Sequence, residues 1–271
     1  MTGPYLGQDP PGITPEVFAP GIVSTEKDEI NAVFSPDGNE FFFSVREDIY
    51  KIMHMRKIDN KWTEPEVFEY SGIYSEADPF ISPDGSMLYF ASKRPVEGFG
   101  PPHDIWMCKK TDSGWSYPFN PGTPLNTGAN EIYPSVTEDN IVYFNSNRDG
   151  GYGGRDIYRT KYIDGVFSEP ENLGGKISTE YDEGDVFVSP DETYLIFVSR
   201  DRPGSFGSGD LYICFRETDG SWSDPVNLGD KINTEHYDFC PVVSPDGKYF
   251  FYSSNGDVFW VSAGILEQFI K

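Results

Sequence analysis

Carboxylates are the chemistry-bearing side chains of this sequence, and they fall at fixed intervals. Glu29, Glu76, Glu131, Glu183 and Asp238 each stand six residues before a Ser or Thr (Ser35, Ser82, Thr137, Ser189, Ser244) that opens a short turn. Acids at equivalent positions around an axis repel one another and keep their protons above the usual carboxylate range unless each is paired. Such a ring could take a cation or a polyhydroxylated ligand. Alternatively it is scaffold, each acid facing an arginine near the end of a nearby strand; Arg46, Arg94, Arg148 and Arg200 or Arg202 are placed for this. Regular repetition favours scaffold, because a site needs asymmetry. The fifth position has Asn255 in place of an arginine, which leaves Asp238 the least neutralised.

Asymmetry enters two residues further on. Four residues before each turn stand Asn31, Asp78, Tyr133, Asp185 and Cys240. Asp78 and Asp185, with Glu76 and Glu183, make two acidic pairs that could hold Ca²⁺ or supply acid–base chemistry. They could equally accept backbone amides in the loop leading to the strand. If the chain is an enzyme, its catalytic candidates are Glu76, Asp78, Glu183, Asp185 and Asp238; if it binds a metal, Asp78 and Asp185 are the ligands. Phe99, Tyr152 and Phe206 sit in three Gly-rich insertions, where exposed rings suit sugar stacking or peptide capture, or else plug gaps between neighbouring units. With the five ring acids, Arg94 and Arg148, they form the ligand-binding candidates. Little else is reactive. His54, His103 and His236 lack metal-ligand spacing, and Cys108, Cys214 and Cys240 are too few for a disulfide framework. No Gly-x-Ser-x-Gly elbow or phosphate loop occurs.

The elements that must position these residues are short strands. Ser-Pro-Asp-Gly recurs at 35–38, 82–85 and 244–247, with degenerate copies at 137–140 and 189–192, at spacings of 47, 55, 52 and 55 residues. Proline presets φ and glycine accepts positive φ, so each copy is a hairpin turn. A short apolar strand precedes each turn and an aromatic-rich strand follows it. A third strand opens with Asp, an aliphatic residue and an aromatic (Asp48-Ile49-Tyr50, Asp104-Ile105-Trp106, Asp156-Ile157-Tyr158, Asp210-Leu211-Tyr212, Asp257-Val258-Phe259). A Pro-containing fourth strand then suits a free sheet edge. Four strands per unit with a period near 50 residues predict an all-β fold, a five-bladed β-propeller of four-stranded antiparallel blades. The blades span about 29–70, 75–124, 130–175, 182–229 and 237–262 of a single domain, 1–271. The fifth unit lacks its fourth strand, and Thr14-Pro15-Glu16-Val17-Phe18 repeats Glu64-Pro65-Glu66-Val67-Phe68. The N-terminal strand, 13–19, is therefore expected to complete the last blade, and Ala263–Lys271 to form a short capping helix.

These turns resemble the WD40-like Pro-Asp (PD40) repeat of TolB-like β-propellers. The likeness rests on Ile232-Asn233-Thr234-Glu235, Asp238, Pro241-Val242-Val243-Ser244-Pro245-Asp246-Gly247, Tyr89-Phe90-Ala91-Ser92-Lys93-Arg94 and Arg155-Asp156-Ile157-Tyr158. The resemblance implies a bacterial exported or envelope protein, although the chain begins with no signal peptide and a cytoplasmic location stays open. It implies a platform for protein, peptide or carbohydrate ligands rather than one fixed activity. A net charge of −23, from 44 acidic and 21 basic residues, argues against nucleic acid and anionic membranes as partners. The expected function is a non-catalytic binding module on the loop-bearing face, with no required cofactor and a monomeric ring. Two alternatives remain: a carbohydrate-active hydrolase with carboxylates at the central channel, and a structural calcium there.

Overall fold

The computed structural model describes residues 1–96 and 102–270; the expectation for Phe99 lies outside the described residues. Five antiparallel sheets form a ring, a five-bladed β-propeller. From the axis outward, blade one runs through Asp28–Phe34, Glu40–Arg46 and Tyr50–Ile58; blade two through Glu76–Ile81, Met87–Ser92 and Asp104–Thr111. Blade three comprises Glu131–Val136, Ile141–Ser146 and Asp156–Ile163, and blade four Asp182–Val188, Tyr194–Arg200 and Asp210–Phe215. Blade five holds Asp238–Val243, Tyr249–Ser254 and Asp257–Ser262, and its fourth strand is Glu16–Val17 from the N-terminus. The closing register sets Glu16 opposite Trp260 and Val17 opposite Phe259. The chain ends in a 3₁₀ helix, Ala263–Phe269, where a short helix is expected.

The turns form as their chemistry dictates. In the first, Ser35 Oγ accepts the Glu40 amide (2.8 Å), Asp37 accepts the Asn39 amide (3.1 Å), and Gly38 takes φ +67°. In the two degenerate turns Asn140 and Glu192 adopt the same left-handed conformation, each at φ +59°. The third strand of blade one begins at Tyr50 rather than at Asp48, and the larger departure from expectation is in the outer strands. In blades one and three the fourth strand is split into Lys61–Trp62 with Glu66–Val67, and Val166–Phe167 with Glu171–Asn172. Pro65 and Pro170 fall in the gaps, where a residue without an N–H breaks the ladder.

Consecutive blades are fastened by a repeated pair of polar residues. Asn126 Oδ1 accepts the Ile105 amide of blade two (2.9 Å), while its neighbour Thr127 donates its hydroxyl (2.7 Å) and amide (3.0 Å) to Glu131 of blade three. Ser178 and Thr179 join blade three to Glu183 of blade four, and Asn233 and Thr234 join blade four to Asp238 of blade five. Ser71 plays both parts between blades one and two, reaching the Ile52 amide and Glu76. At the closure, Ser24 accepts the Val258 amide (3.2 Å) and Thr25 holds Glu29 (2.5 Å), so the seam where the termini meet has the same fastening as the others.

The closing strand also anchors an aromatic cluster. Phe18 is fully buried against Phe34, Phe41, Phe251 and Trp260, at centroid separations of 5.0–6.1 Å. Replacing Phe18 by Ala is expected to cost about 3–5 kcal/mol in urea unfolding, whereas Ile13→Ala, at an exposed position, changes stability by less than about 0.5 kcal/mol. Equal effects of the two would contradict closure through this strand. Deleting residues 1–20 is expected to abolish a single cooperative transition rather than fray one end.

Candidate functional site

The five ring acids are buried, and each is held within its own blade rather than gathered at the axis. Besides the fastening groups, Glu76, Glu131 and Glu183 each accept a serine hydroxyl from the second strand (Ser92, 3.2 Å; Ser146, 2.9 Å; Ser199, 2.9 Å). Arginine lies beside three of them: Arg94 at 3.4 Å from Glu76, Arg148 at 3.1 Å from Glu131 and Arg202 at 3.6 Å from Glu183. Arg46 instead lies over the Tyr50 ring, and Glu29 and Asp238 take hydrogen bonds from neutral donors, the Lys27 charge also acting on Glu29. Burial raises the carboxyls of Glu29, Glu76, Glu183 and Asp238, while these hydrogen bonds pull them back down. Their geometry is that of strand anchors.

The residues that break the repeat have a different setting. Asn31, Asp78, Tyr133, Asp185 and Cys240 all adopt left-handed backbone conformations, with φ between +45° and +57°. Each sits at a register shift between the first and second strands of its blade, a β-bulge. The bulge frees an amide from the ladder, and the preceding blade catches it: Ser253 Oγ accepts from Asn31 (3.1 Å) and Asn145 Oδ1 from Asp185 (3.2 Å). It also turns the side chain to the axis, where the five meet. Tyr133 donates its hydroxyl to the Pro241 carbonyl (3.0 Å), reaching from blade three to blade five. Asn31 Nδ2 donates to the Pro79 carbonyl (3.4 Å), leaving its Oδ1 without a partner among the described residues. Cys240 Sγ lies 3.9 Å from Asp185.

Electrostatics separates the two aspartates. Burial, and then the Asp185 charge, push the Asp78 carboxyl up to about 8, against the pull of Arg155 and the Tyr133 amide. Burial raises Asp185 as well, but Arg155, Arg200 and the Cys240 amide oppose it. Arg155 is itself oriented by a two-pronged contact with Asp182 (2.8 and 3.1 Å). Asp78 therefore keeps its proton at neutral pH while Asp185 faces the cations. Arg155 was not among the sequence candidates, although a signal existed: the residue before the third-strand Asp is Glu47, His103, Gly209 or Gly256 in the other blades. Asp78 and Asp185 are only 9% and 7% exposed, and no three His, Cys, Asp or Glu side chains converge as a metal centre among the described residues.

Above this plug, the loop-bearing face carries two hollows that share Arg46 and Tyr50. One, of about 420 Å³, is lined also by Asp28, Glu235, His236 and Tyr237; the other, of about 370 Å³, by Asp48, Tyr74, Lys93 and His103. The aromatic loops border the same face. Asp156 accepts the Tyr152 and Gly153 amides (2.6 and 3.2 Å), and Asp210 those of Phe206 and Gly207 (2.9 and 3.0 Å). A Cβ on Gly153 or Gly207 would lie 2.0 Å from the Tyr181 or His236 carbonyl oxygen, so glycine lets each loop lie against the next blade. The backbone closes the gap, and the rings of Tyr152 and Phe206 remain 59% and 50% exposed.

The Asp78 proton makes stability depend on pH. An unfolded chain loses that proton near the ordinary value of 3.8, whereas the ring holds it to about 8. Between these values the unfolded state binds fewer protons, so stability falls as pH rises, by up to about 1.4 kcal/mol per pH unit, and then levels off. Urea titrations of wild type and Asp78→Asn should differ little near pH 4. The variant should gain on wild type steadily up to about pH 8, and parallel curves would contradict the assignment.

No protein-family model matches the sequence, and no curated protein matches it. Among solved structures the chain is similar to a protein described as TolB from Agrobacterium tumefaciens, with TM-score 0.56, 20% identity and coverage of 85% of this chain and 71% of that one. It is also similar to a glycoside hydrolase (TM-score 0.60, 10% identity, 94% and 91% coverage). A thermostable family-43 glycoside hydrolase gives TM-score 0.57 at 13% identity, with 89% and 90% coverage. Identities this low carry the fold alone, a β-propeller ring shared with these three structures.

Proposed function

We propose that this chain is a Pro-Asp-repeat propeller acting as a binding module, with a carbohydrate ligand lying across the loop-bearing face at the mouth of the central channel. The observation that carries this reading is the lining of the two hollows. Tyr50, Tyr74 and Tyr237 line them with rings, each with an arginine (Arg46, Arg94 and Arg200) over one face, and Asp28, Asp48, Glu235 and His236 offer hydrogen-bonding groups around them. Apolar ring faces bordered by charged donors and acceptors match a sugar, which has apolar C–H faces and a polar hydroxyl edge. Tyr152 and Phe206, on clamped loops, extend the same surface at small entropic cost. The ring acids support a binding role in another way, since their oxygens are occupied in fastening the blades.

One observation favours a second reading, hydrolysis. Asp78, which burial and the Asp185 charge push up, and Asp185, which Arg155 and Arg200 pull down against its own burial, are two carboxyls in unlike settings, as a general acid and base require. Their burial counts against it, because a glycosidic bond would have to reach past Tyr133 and Cys240.

A glycan array followed by titration of the best oligosaccharide separates the two. Binding without product is expected. Tyr74→Ala and Phe206→Ala should each weaken binding by about three- to tenfold, as loss of one stacked ring predicts. Asp78→Asn should leave affinity unchanged. Product formation that disappears in Asp78→Asn or Asp185→Asn would replace the module by an enzyme. Array-wide silence would set carbohydrate aside and turn the search to peptides.

A further inference from the structure

The opposite face of the ring, formed by the Pro-Asp turns, holds a hollow of different character. It is a cavity of about 210 Å³ at the other end of the channel, walled by Val33, Phe80, Phe187 and Val242 of the first strands. Tyr133, spanning from blade three to the Pro241 carbonyl of blade five, closes the channel at the level of the bulges, so the hollow is a cup rather than a pore. Four prolines, Pro36, Pro83, Pro190 and Pro245, form its rim, one from each of blades one, two, four and five.

Blade three departs from this pattern. Its turn reads Thr137-Glu138-Asp139-Asn140, so Glu138 stands where the other blades have proline, and it lines the cup. Its backbone N–H donates to the Pro190 carbonyl (2.8 Å), which fixes the turn against that of blade four. Its side chain is exposed, and none of the ion pairs among the described residues involves its carboxylate. One residue beyond each rim proline lies an aspartate, Asp37, Asp84, Asp191 or Asp246, whose oxygens bind the amides of its own turn. The rim thus combines an apolar interior with the Glu138 carboxylate, which no turn or ion pair among the described residues uses; Asp139 beside it is exposed too, and of the turn aspartates Asp246 is paired with Lys248 (2.9 Å).

We propose that this cup binds a small organic ammonium ion, its apolar part among the prolines and phenylalanines and its charge at Glu138. The volume admits one ring or a short alkyl chain, not an extended polymer. An anion of the same shape would meet Glu138 and the turn aspartates unpaired. This site is independent of the loop-bearing face.

Calorimetric titration with phenethylammonium, phenethyl alcohol and phenylacetate, with backbone amide shifts read by NMR, provides the test. The ammonium is expected to bind about three- to fivefold more tightly than the alcohol, the range of an exposed ion pair, and phenylacetate not at all. Shifts should centre on Val33, Val242 and Val243. Glu138→Gln should remove the preference for ammonium while leaving the affinity of the alcohol unchanged, which shows that the cup is still intact. Tyr152→Ala and Phe206→Ala should alter neither. Equal binding of ammonium and alcohol, a preference retained in Glu138→Gln, or shifts confined to the loop-bearing face would each overturn the proposal.

Discussion

Adjacent sheets in the ring touch through isolated backbone bonds, such as Glu131 N–H to the His103 carbonyl (2.7 Å) and Glu183 N–H to that of Arg155 (3.0 Å), rather than a continuous ladder, so side chains must help set the angle between them. Here much of that role falls to a dipeptide of small polar residues placed just before four of the five blades, and to Ser71 alone before blade two. Its first member takes an amide from the third strand of the blade before, and its second holds the carboxylate that opens the blade after. Both bonds are buried or partly buried, where an unmade bond is costly and a charged acceptor roughly doubles the strength of a made one. Ser24 and Thr25 repeat the device where the N-terminal strand completes blade five. The molecule closes with the bonds that hold it together elsewhere, and closure removes the open edge that a ring of separate sheets would leave.

The same arrangement decides which acids are free for other work. Carboxylates that fasten blades must stay in one geometry, and their hydrogen-bond capacity is spent on Thr, Ser and Arg partners. The bulge positions carry no such duty. Each needs a residue in the left-handed region, and Asn and Asp tolerate that conformation better than most. Tyr133 and Cys240 occupy it as well, with φ of +54° and +53°. Backbone strain is accepted at all five positions, while the side chain placed at the axis differs from blade to blade. Chemical asymmetry is thereby concentrated at the one place where all blades meet.

Two faces of unlike character result. Long glycine-rich loops, aromatic rings and charged groups surround the channel on one side; prolines and phenylalanines surround it on the other, with Glu138 in the place of one proline and the turn aspartates beside them. Tyr133 and its neighbours separate the two. A ligand on either face therefore meets a closed floor, and the ring can present two surfaces without a path between them.

Much of this was legible from the repeat. The recurrence of Ser-Pro-Asp-Gly, the third-strand Asp and the duplicated Thr-Pro-Glu-Val-Phe segment determined the number of blades, the strand order and the closure, because turn chemistry and strand alternation are local properties. Repetition also marked the ring acids as scaffold candidates, and it exposed the variable bulge position as the place where blades differ. Tertiary structure alone decided how those residues meet. Nothing in the sequence places Asp78 beside Asp185, 107 residues apart, or brings Arg155 to bear on both. Nothing in it gives Glu138 a cup to border. Proximity across a ring is a property of five blades assembled together, and pKa, burial and cavity shape depend on that proximity rather than on the order of residues along the chain.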